Sequence, residues 1–267
     1  MDIDRFKQII NYSNANKKSI GANVNDFYSK MNMEQELLNL MQIVRPLFLE
    51  KGYLIIELPF SDKEIGAFCY KGDAIGYTVL NSSLPKVNVN FALCHEIYHI
   101  FYQETEIKTK VDLLSEHYYE HEEEFAANLF AGMLLMPEKS YKFMFRKFNN
   151  ETQTADNKLA VLAKLMSYFQ VPYMAALIRC YELDLLESGE LLEKLIQIDH
   201  ATIRNQFTSL WLDDAILKAT RKDDYSKLEE LVKLTGKDSL EKAYLNERTL
   251  KKVLQNMCAI YDAIKGE

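Results

Sequence analysis

From Asn90 almost to the end of the chain, apolar residues recur at the three- and four-residue spacing of α-helices, and this pattern limits the fold most. The 267 residues include only 9 Gly and 5 Pro, which break helices, against 16 Tyr and 14 Phe. Such a composition favours helices packed on helices. We predict helices over 90–103, 116–135, 157–168, 172–187, 190–218, 225–234, 238–245 and 247–264.

Strand patterns lie in the N-terminal third. Residues 25–50 carry an apolar stripe that predicts a helix, and Tyr53–Leu58 is a short β-branched run that predicts a strand. Residues 65–81 read as a hairpin turning at Lys71-Gly72-Asp73. The sequence therefore predicts a mostly helical α+β fold with a small antiparallel or mixed sheet.

Three parts make up the expected organisation. Residues 1–24 are polar and form a tail or a single helix, and residues 25–187 form the core, with a helical subregion at 157–187. A helical C-terminal region follows at 188–267, after a soft boundary near Ser188-Gly189.

Charge and cysteine usage exclude several classes. The net charge of −7 argues against binding nucleic acid or anionic lipid over the whole surface. The chain begins without a signal-peptide pattern and has no apolar run of about 18 residues. We expect a cytoplasmic protein, with no membrane partner, no direct nucleic-acid contact and four reduced, singly placed cysteines: Cys69, Cys94, Cys180 and Cys258.

The segment His95-Glu96-Ile-Tyr-His99 indicates a metal site. On a helix, residues four apart lie about 40° apart around the axis, so both imidazoles can bind one ion. Glu96 lies beside them and can act as general base towards a metal-bound water. The pattern favours Zn²⁺, with Mn²⁺ as the alternative.

A catalytic zinc site needs a third protein ligand. The metzincin arrangement fails, because it would require a His six residues after His99 with a Gly between them, and Tyr102 and Thr105 stand at those positions. Glu124 is the leading candidate, and Asn128, one turn later, can hydrogen-bond a ligand histidine. His121 and His117 share the same helix face and remain alternative ligands. The neighbouring acids Glu122 and Glu123 are interpreted as a solvated first turn of the helix. Glu120 could belong to that turn or lie at the rim of the site.

At these residues the sequence resembles the ImmA/IrrE family of metallopeptidases. The first matching part runs from Phe91 through His95-Glu96 to His99, and the second from Glu124 to Pro137. The family pattern departs at Tyr98, where a small Gly is usual, and at Cys94, where Ala or Thr is common.

The resemblance implies a zincin-like core, a metal held by His95, His99 and Glu124, and Glu96 as general base. It also implies site-specific cleavage of a regulatory protein, such as a helix-turn-helix repressor or an antitoxin-like regulator encoded on a mobile element. We therefore expect a zinc-dependent endopeptidase that acts in transcription regulation. The alternatives are a metal-containing binding protein without catalysis and a DNA-binding regulator.

Three further features have two interpretations each. The helix–turn–helix pattern at 157–187 has balanced charge, so structural packing or partner recognition is favoured over DNA binding. The amphipathic stripes at 225–264 predict either packing onto the core or a docking surface. Cys94 is interpreted as a small packed residue in preference to a redox switch.

The hairpin at 65–81 is expected to offer a strand edge to the substrate.

Overall fold

A computed structural model describes residues 1–32, 40–71, 76–103, 122–151, 158–187 and 189–266. The strands are β1 (Tyr53–Leu58), β2 (Ala67–Lys71) and β3 (Gly76–Asn81). The α-helices in these ranges are α1 (Ile3–Lys30), α2 (Leu40–Glu50), α3 (Lys86–Tyr102), α4 (Glu122–Leu135), α5 (Glu138–Glu151), α6 (Lys158–Phe169), α7 (Tyr173–Glu182), α8 (Glu190–Ile196), α9 (His200–Ser209), α10 (Tyr225–Glu241) and α11 (Glu247–Lys265). A short 3₁₀ helix at Asp214–Leu217 lies between α9 and α10.

The three strands form a small mixed sheet in the order β1-β3-β2. β1 runs parallel to β3, and β2 runs antiparallel to it. The α+β, mostly helical fold predicted from the sequence is thereby confirmed. Helix α3 packs on one face of this sheet, against β2 and β3, and so places its side chains beside the edge strand.

Helix α1 belongs to the core. It runs without a break across residue 24, where the sequence suggested a boundary, and it packs along α4. Phe6 and Phe27 are buried on it, at 1% and 0% exposure. The polar composition of this segment reflects its solvent face, and a narrow apolar stripe is sufficient to bury the other face.

Several predicted helix boundaries are wrong. The single helix predicted over 25–50 is two helices, because α1 ends at Lys30 and α2 begins at Leu40. The helix predicted over 190–218 is divided where the side chains of Asp199 and Asp213 cap new helix starts. Conversely, α10 continues through Gly236 and joins two predicted helices.

Helix α5 was not predicted. It begins directly after Pro137, and Lys and Arg residues interrupt its apolar pattern. Only Tyr141, Met144 and Phe145 are buried on it.

The C-terminal helices cover the face of the sheet opposite α3. We call the residues beneath them the outer apolar cluster: Ile56, Leu58, Phe60 and Val79 are its buried members. Tyr225 and Leu228 of α10 and Tyr261 and Ile264 of α11 pack against it. The sheet is therefore held between α3 and the C-terminal region.

Within the described ranges, no single helix is long and apolar enough to cross a membrane. Helices α6 and α7 meet the length and composition criterion only as a pair, and they are bent by 106°. Most of their apolar residues are buried in the core.

Candidate metal centre

Helices α3 and α4 pack against each other and bring two predicted ligand segments together. Helix α3 carries His95 and His99 one turn apart, and the first turn of α4 carries Glu124. Small and aromatic side chains at this interface, such as Ala127 and Phe130, are fully buried at 0% exposure. Because the two helices pack so closely, the carboxylate of Glu124 reaches both imidazoles.

The ligand atoms of His95, His99 and Glu124, which we call the metal centre, converge on one point. The two Nε2 atoms lie 3.0 Å apart. The Glu124 carboxylate lies 3.1 Å from Nε2 of His95 and 3.5 Å from Nε2 of His99. All three ligand atoms lie within 4.8 Å of one another. The alternative ligands His121 and His117, and also Glu120, lie outside the described residues.

This arrangement fits a tetrahedral ion. Ligand bonds of 2.0–2.1 Å at tetrahedral angles separate neighbouring ligand atoms by about 3.3 Å. The observed separations of 3.0, 3.1 and 3.5 Å are close to that value. Two imidazoles and one carboxylate also form the donor set of a zinc site with an open fourth position.

Hydrogen bonds to the other ring nitrogens fix the histidine tautomers. Nδ1 of His95 donates to Oδ1 of Asn128 over 3.0 Å. Nδ1 of His99 donates to Oε1 of Gln103 over 2.7 Å. Both acceptors are amide oxygens, which cannot donate, so each Nδ1 carries the hydrogen and each Nε2 presents a lone pair. The structure thus places Asn128, predicted to contact a ligand histidine, against His95.

The charge around His95 is negative. Burial alone lowers the pKa of His95. When the ring is protonated, however, Nε2 donates a hydrogen bond to Glu124, and this bond, with the charges of Glu96 and Glu124, outweighs burial and raises the pKa above its ordinary value. The same negative charge attracts a divalent cation.

Glu96 is buried next to the centre and has a partner that sequence reasoning missed. Glu96 is 7% exposed, and its carboxylate lies near the thiol of Cys69 on β2. Burial raises the pKa of Cys69 far above its usual value, and the nearby Glu96 charge raises it further. The thiol therefore stays protonated and can donate to the Glu96 carboxylate.

Cys94 is packed in the core. It is 0% exposed, and burial raises the pKa of its thiol. A protonated, inaccessible thiol is unreactive, which favours the packing interpretation over the redox one. Tyr98, the other departure from the family pattern, lies against the rings of His99 and Phe130.

Gln103 and Glu123 form a second connection that the sequence did not indicate. Nε2 of Gln103 donates to Oε2 of Glu123 over 2.7 Å, while its amide oxygen accepts from His99. Glu123 lies in the first turn of α4 as expected, but it is half-buried and accepts a hydrogen bond, whereas the neighbouring Glu122 is exposed. Three consecutive glutamates at a helix start look alike in the sequence, so no pattern distinguishes the hydrogen-bonded Glu123 from the exposed Glu122.

Strand β2 forms an edge of the sheet next to the metal centre. In the part of the chain that the structure describes, β2 pairs with β3 alone. Asn81 donates its backbone N–H to the carbonyl of Gly66, and hydrogen-bonded pairs alternate along an antiparallel ladder. Phe68 and Tyr70 therefore bond to β3, whereas the backbone N–H groups of Ala67 and Cys69 face the open edge.

Comparisons with known proteins give one family. The model of the IrrE N-terminal-like domain, classed as peptidase M78, matches residues 49–181. This range spans the sheet, the metal centre and helices α3 to α7 apart from the last residue of α7. Neither the curated proteins nor the solved structures gave a match.

Proposed function

Because the chain carries an IrrE N-terminal-like domain of the peptidase M78 family over residues 49–181, we propose that it is a zinc-dependent, site-specific endopeptidase. The observation that supports this proposal is the convergence of His95, His99 and Glu124 around one point. Glu96, beside that point on α3, is the proposed general base.

The donor set favours Zn²⁺ over Mn²⁺, because imidazole suits zinc and manganese prefers oxygen ligands. When bound, zinc would polarise the peptide carbonyl and lower the pKa of a water molecule to about 7. Glu96 then accepts the proton of the attacking water and passes it to the leaving amine. Asn128 keeps His95 in the tautomer that such a site requires.

The substrate in this proposal binds as an added strand. The open edge of β2 offers the backbone groups of Ala67 and Cys69, and Cys69 also contacts Glu96. A peptide paired there runs past the general base. A regulatory protein is the proposed substrate, such as a helix-turn-helix repressor or an antitoxin-like regulator, and the resemblance to the ImmA/IrrE family alone supports that identity.

Metal binding is the first test. We expect the purified protein to bind one zinc ion per chain by elemental analysis, and His95→Ala or His99→Ala to abolish this binding. His200→Ala is the matched control, because His200 is exposed on α9, away from the metal centre. Unchanged zinc content in both centre variants would contradict the proposed site.

Turnover is the second test. The zinc-loaded protein is incubated with candidate helix-turn-helix repressors encoded near its own gene, and new termini are identified by mass spectrometry. We expect cleavage at one bond, and a loss of at least about a thousandfold in Glu96→Gln. Equal turnover by Glu96→Gln would refute the hydrolytic mechanism; zinc binding without cleavage would favour the non-catalytic binding protein.

The DNA-binding alternative meets a structural objection. Helices α6 and α7 cross at 106°, which lies in the range of helix-turn-helix motifs. However, every residue of α7 is buried or half-buried, and its one arginine, Arg179, is paired with Glu182 at 2.9 Å. A helix that reads DNA must project basic and polar side chains. Salt-dependent binding of a duplex DNA probe would nevertheless revive this alternative.

A further inference from the structure

A continuous hydrogen-bond relay runs from His99 through Gln103 to Glu123. The two links are each 2.7 Å long. We propose that Gln103 and Glu123 are positioning residues that hold His99 ready to bind the metal. This inference rests on the proposed zinc site, and it assigns a role to two residues that lie outside the ligand set.

The amide of Gln103 explains why two residues are needed. An amide group has an acceptor end and a donor end, and it can rotate to exchange them. The carboxylate of Glu123 only accepts, so it holds the NH₂ end of Gln103. The carbonyl end must then face Nδ1 of His99, and the hydrogen of the neutral imidazole is held on that nitrogen. Nε2 is left as the ligand atom.

The first turn of α4 thereby acts on both nitrogens of His99. Glu124 lies 3.5 Å from Nε2, while the adjacent Glu123 acts on Nδ1 through Gln103. Consecutive helical residues point about 100° apart, so Glu123 and Glu124 cannot both face the same side of the imidazole directly. Gln103 bridges that difference in direction.

The relay also joins the two helices that carry the ligands. Gln103 follows the last residue of α3, and Glu123 is the second residue of α4. Their hydrogen bond links the end of α3 to the start of α4, next to the point where His99 and Glu124 meet. We therefore expect the relay to lower the cost of bringing both helices into the metal-binding arrangement.

Zinc affinity tests this proposal directly. Zinc affinity is measured by competition with a chromophoric chelator, and circular dichroism checks that each variant is folded. We expect Gln103→Ala to weaken zinc binding about 10- to 100-fold, as is typical when a partner of a ligand histidine is removed. Asn128→Ala, which removes the partner of His95, should act similarly. Wild-type affinity in Gln103→Ala would overturn the proposal.

Variants of the glutamates separate a hydrogen bond from bulk charge. Glu123→Ala should weaken zinc binding by less than about tenfold, because Gln103 can still accept from His99. Glu123→Gln keeps an acceptor and should restore most of the affinity. Glu122→Ala is the matched control, since it removes the same charge from the same helix turn at an exposed position. An equal effect of Glu122→Ala would assign the effect to charge alone and contradict the relay.

The tautomer of His99 supplies a readout that loss of rigidity alone would not reproduce. In ¹⁵N-labelled zinc-free protein in alkaline buffer, imidazole nitrogen shifts should report hydrogen on Nδ1 of His99. In Gln103→Ala the population with hydrogen on Nε2 should rise. An unchanged tautomer would refute the orienting role. A wild-type protein that fails to bind zinc would overturn the proposed metal site and this proposal with it, whereas an unaffected Gln103→Ala would overturn this proposal alone.

Discussion

Glu57 and Asp224 exchange two hydrogen bonds that fix β1 to the start of α10. The N–H of Glu57 donates to Oδ2 of Asp224 over 3.1 Å, and the N–H of Asp224 donates to the carbonyl of Glu57 over 2.9 Å. Lys222 bridges both carboxylates, at 3.2 and 3.0 Å, and Arg45 lies 2.6 Å from Glu57. The C-terminal region is thus anchored to the sheet by an ion-pair network in which the carboxylates are buried and the cations are more exposed.

Asp224 makes this anchor dependent on pH. Burial alone would raise its pKa, but hydrogen bonds from Lys222, from the amide of Glu57 and from Lys227 outweigh burial and lower it below the ordinary value of 3.8. At pH values above 3.8, the ionised carboxyl stabilises the folded state, because its pKa is lower there than in the unfolded chain. The stabilisation is lost as the pH falls through the folded-state pKa.

We expect Asp224→Asn to lower the free energy of unfolding by about 1 kcal/mol at pH 7, because charged hydrogen bonds are replaced by neutral ones. Below pH about 4 the difference from wild type should shrink, because the unfolded chain takes up its proton first and the native carboxyl follows only as the pH falls through its lower pKa. Urea unfolding followed by circular dichroism at several pH values measures this. Asp238→Asn, at an exposed ion pair on the same helix, should change little at any pH. A difference that is constant with pH would contradict the assignment.

The outer apolar cluster gives a second prediction, which addresses the role of α11. Ile264 packs against the cluster, whereas Ile260, one turn earlier, is 59% exposed. We expect Ile264→Ala to destabilise the protein by about 1–2 kcal/mol, because it removes partly buried methyl groups. Ile260→Ala should change stability by less than about 0.5 kcal/mol. Equal, small effects would show that α11 does not depend on this packing.

The cluster of His95, His99 and Glu124 could be predicted because much of its geometry is local. His95 and His99 share one helix face by spacing alone, and Glu124 with Asn128 share another. Which helices then meet is decided by long-range packing, and the contacts that depend on it were missed. Gln103 contacts Glu123 from twenty residues away, and Cys69 reaches Glu96 from a strand.

Helix ends were less predictable than helix interiors for a related reason. Asp199 caps the start of α9, although the apolar pattern of the sequence continues across this residue without interruption. Gly236 suggested a break, yet it lies inside α10 where Leu250 packs close to it, so that an added Cβ would clash. The glycine there permits close approach of α11 and does not end the helix.

Cys69 provides a third prediction, which concerns Glu96, the proposed general base. If the Cys69 thiol donates a hydrogen bond to the nearby Glu96, Cys69→Ala removes it and kcat should fall about two- to tenfold, equivalent to about 0.5–1.5 kcal/mol. Cys69→Ser keeps a donor and should retain most of the activity, while zinc affinity should be unchanged in both variants. The measurement is single-turnover cleavage of the repressor substrate. If Ser and Ala variants lose activity equally, packing of the sulfur matters and the hydrogen bond does not.

The open edge of β2 gives the fourth prediction, on substrate binding. Ala67 directs its N–H away from β3, so Ala67→Pro removes a donor from the edge without breaking a bond inside the sheet. If the substrate pairs with this edge, KM should rise about two- to tenfold for the loss of one hydrogen bond. Zinc affinity and the unfolding midpoint should stay near wild type. Phe68→Pro is the informative contrast: its N–H bonds to β3, so that variant should lose stability as well as activity. An unchanged KM in folded Ala67→Pro would show that the substrate binds elsewhere. A strand that pairs with β2 beside Cys69, and so lies near Glu96, must also pair at residue 67.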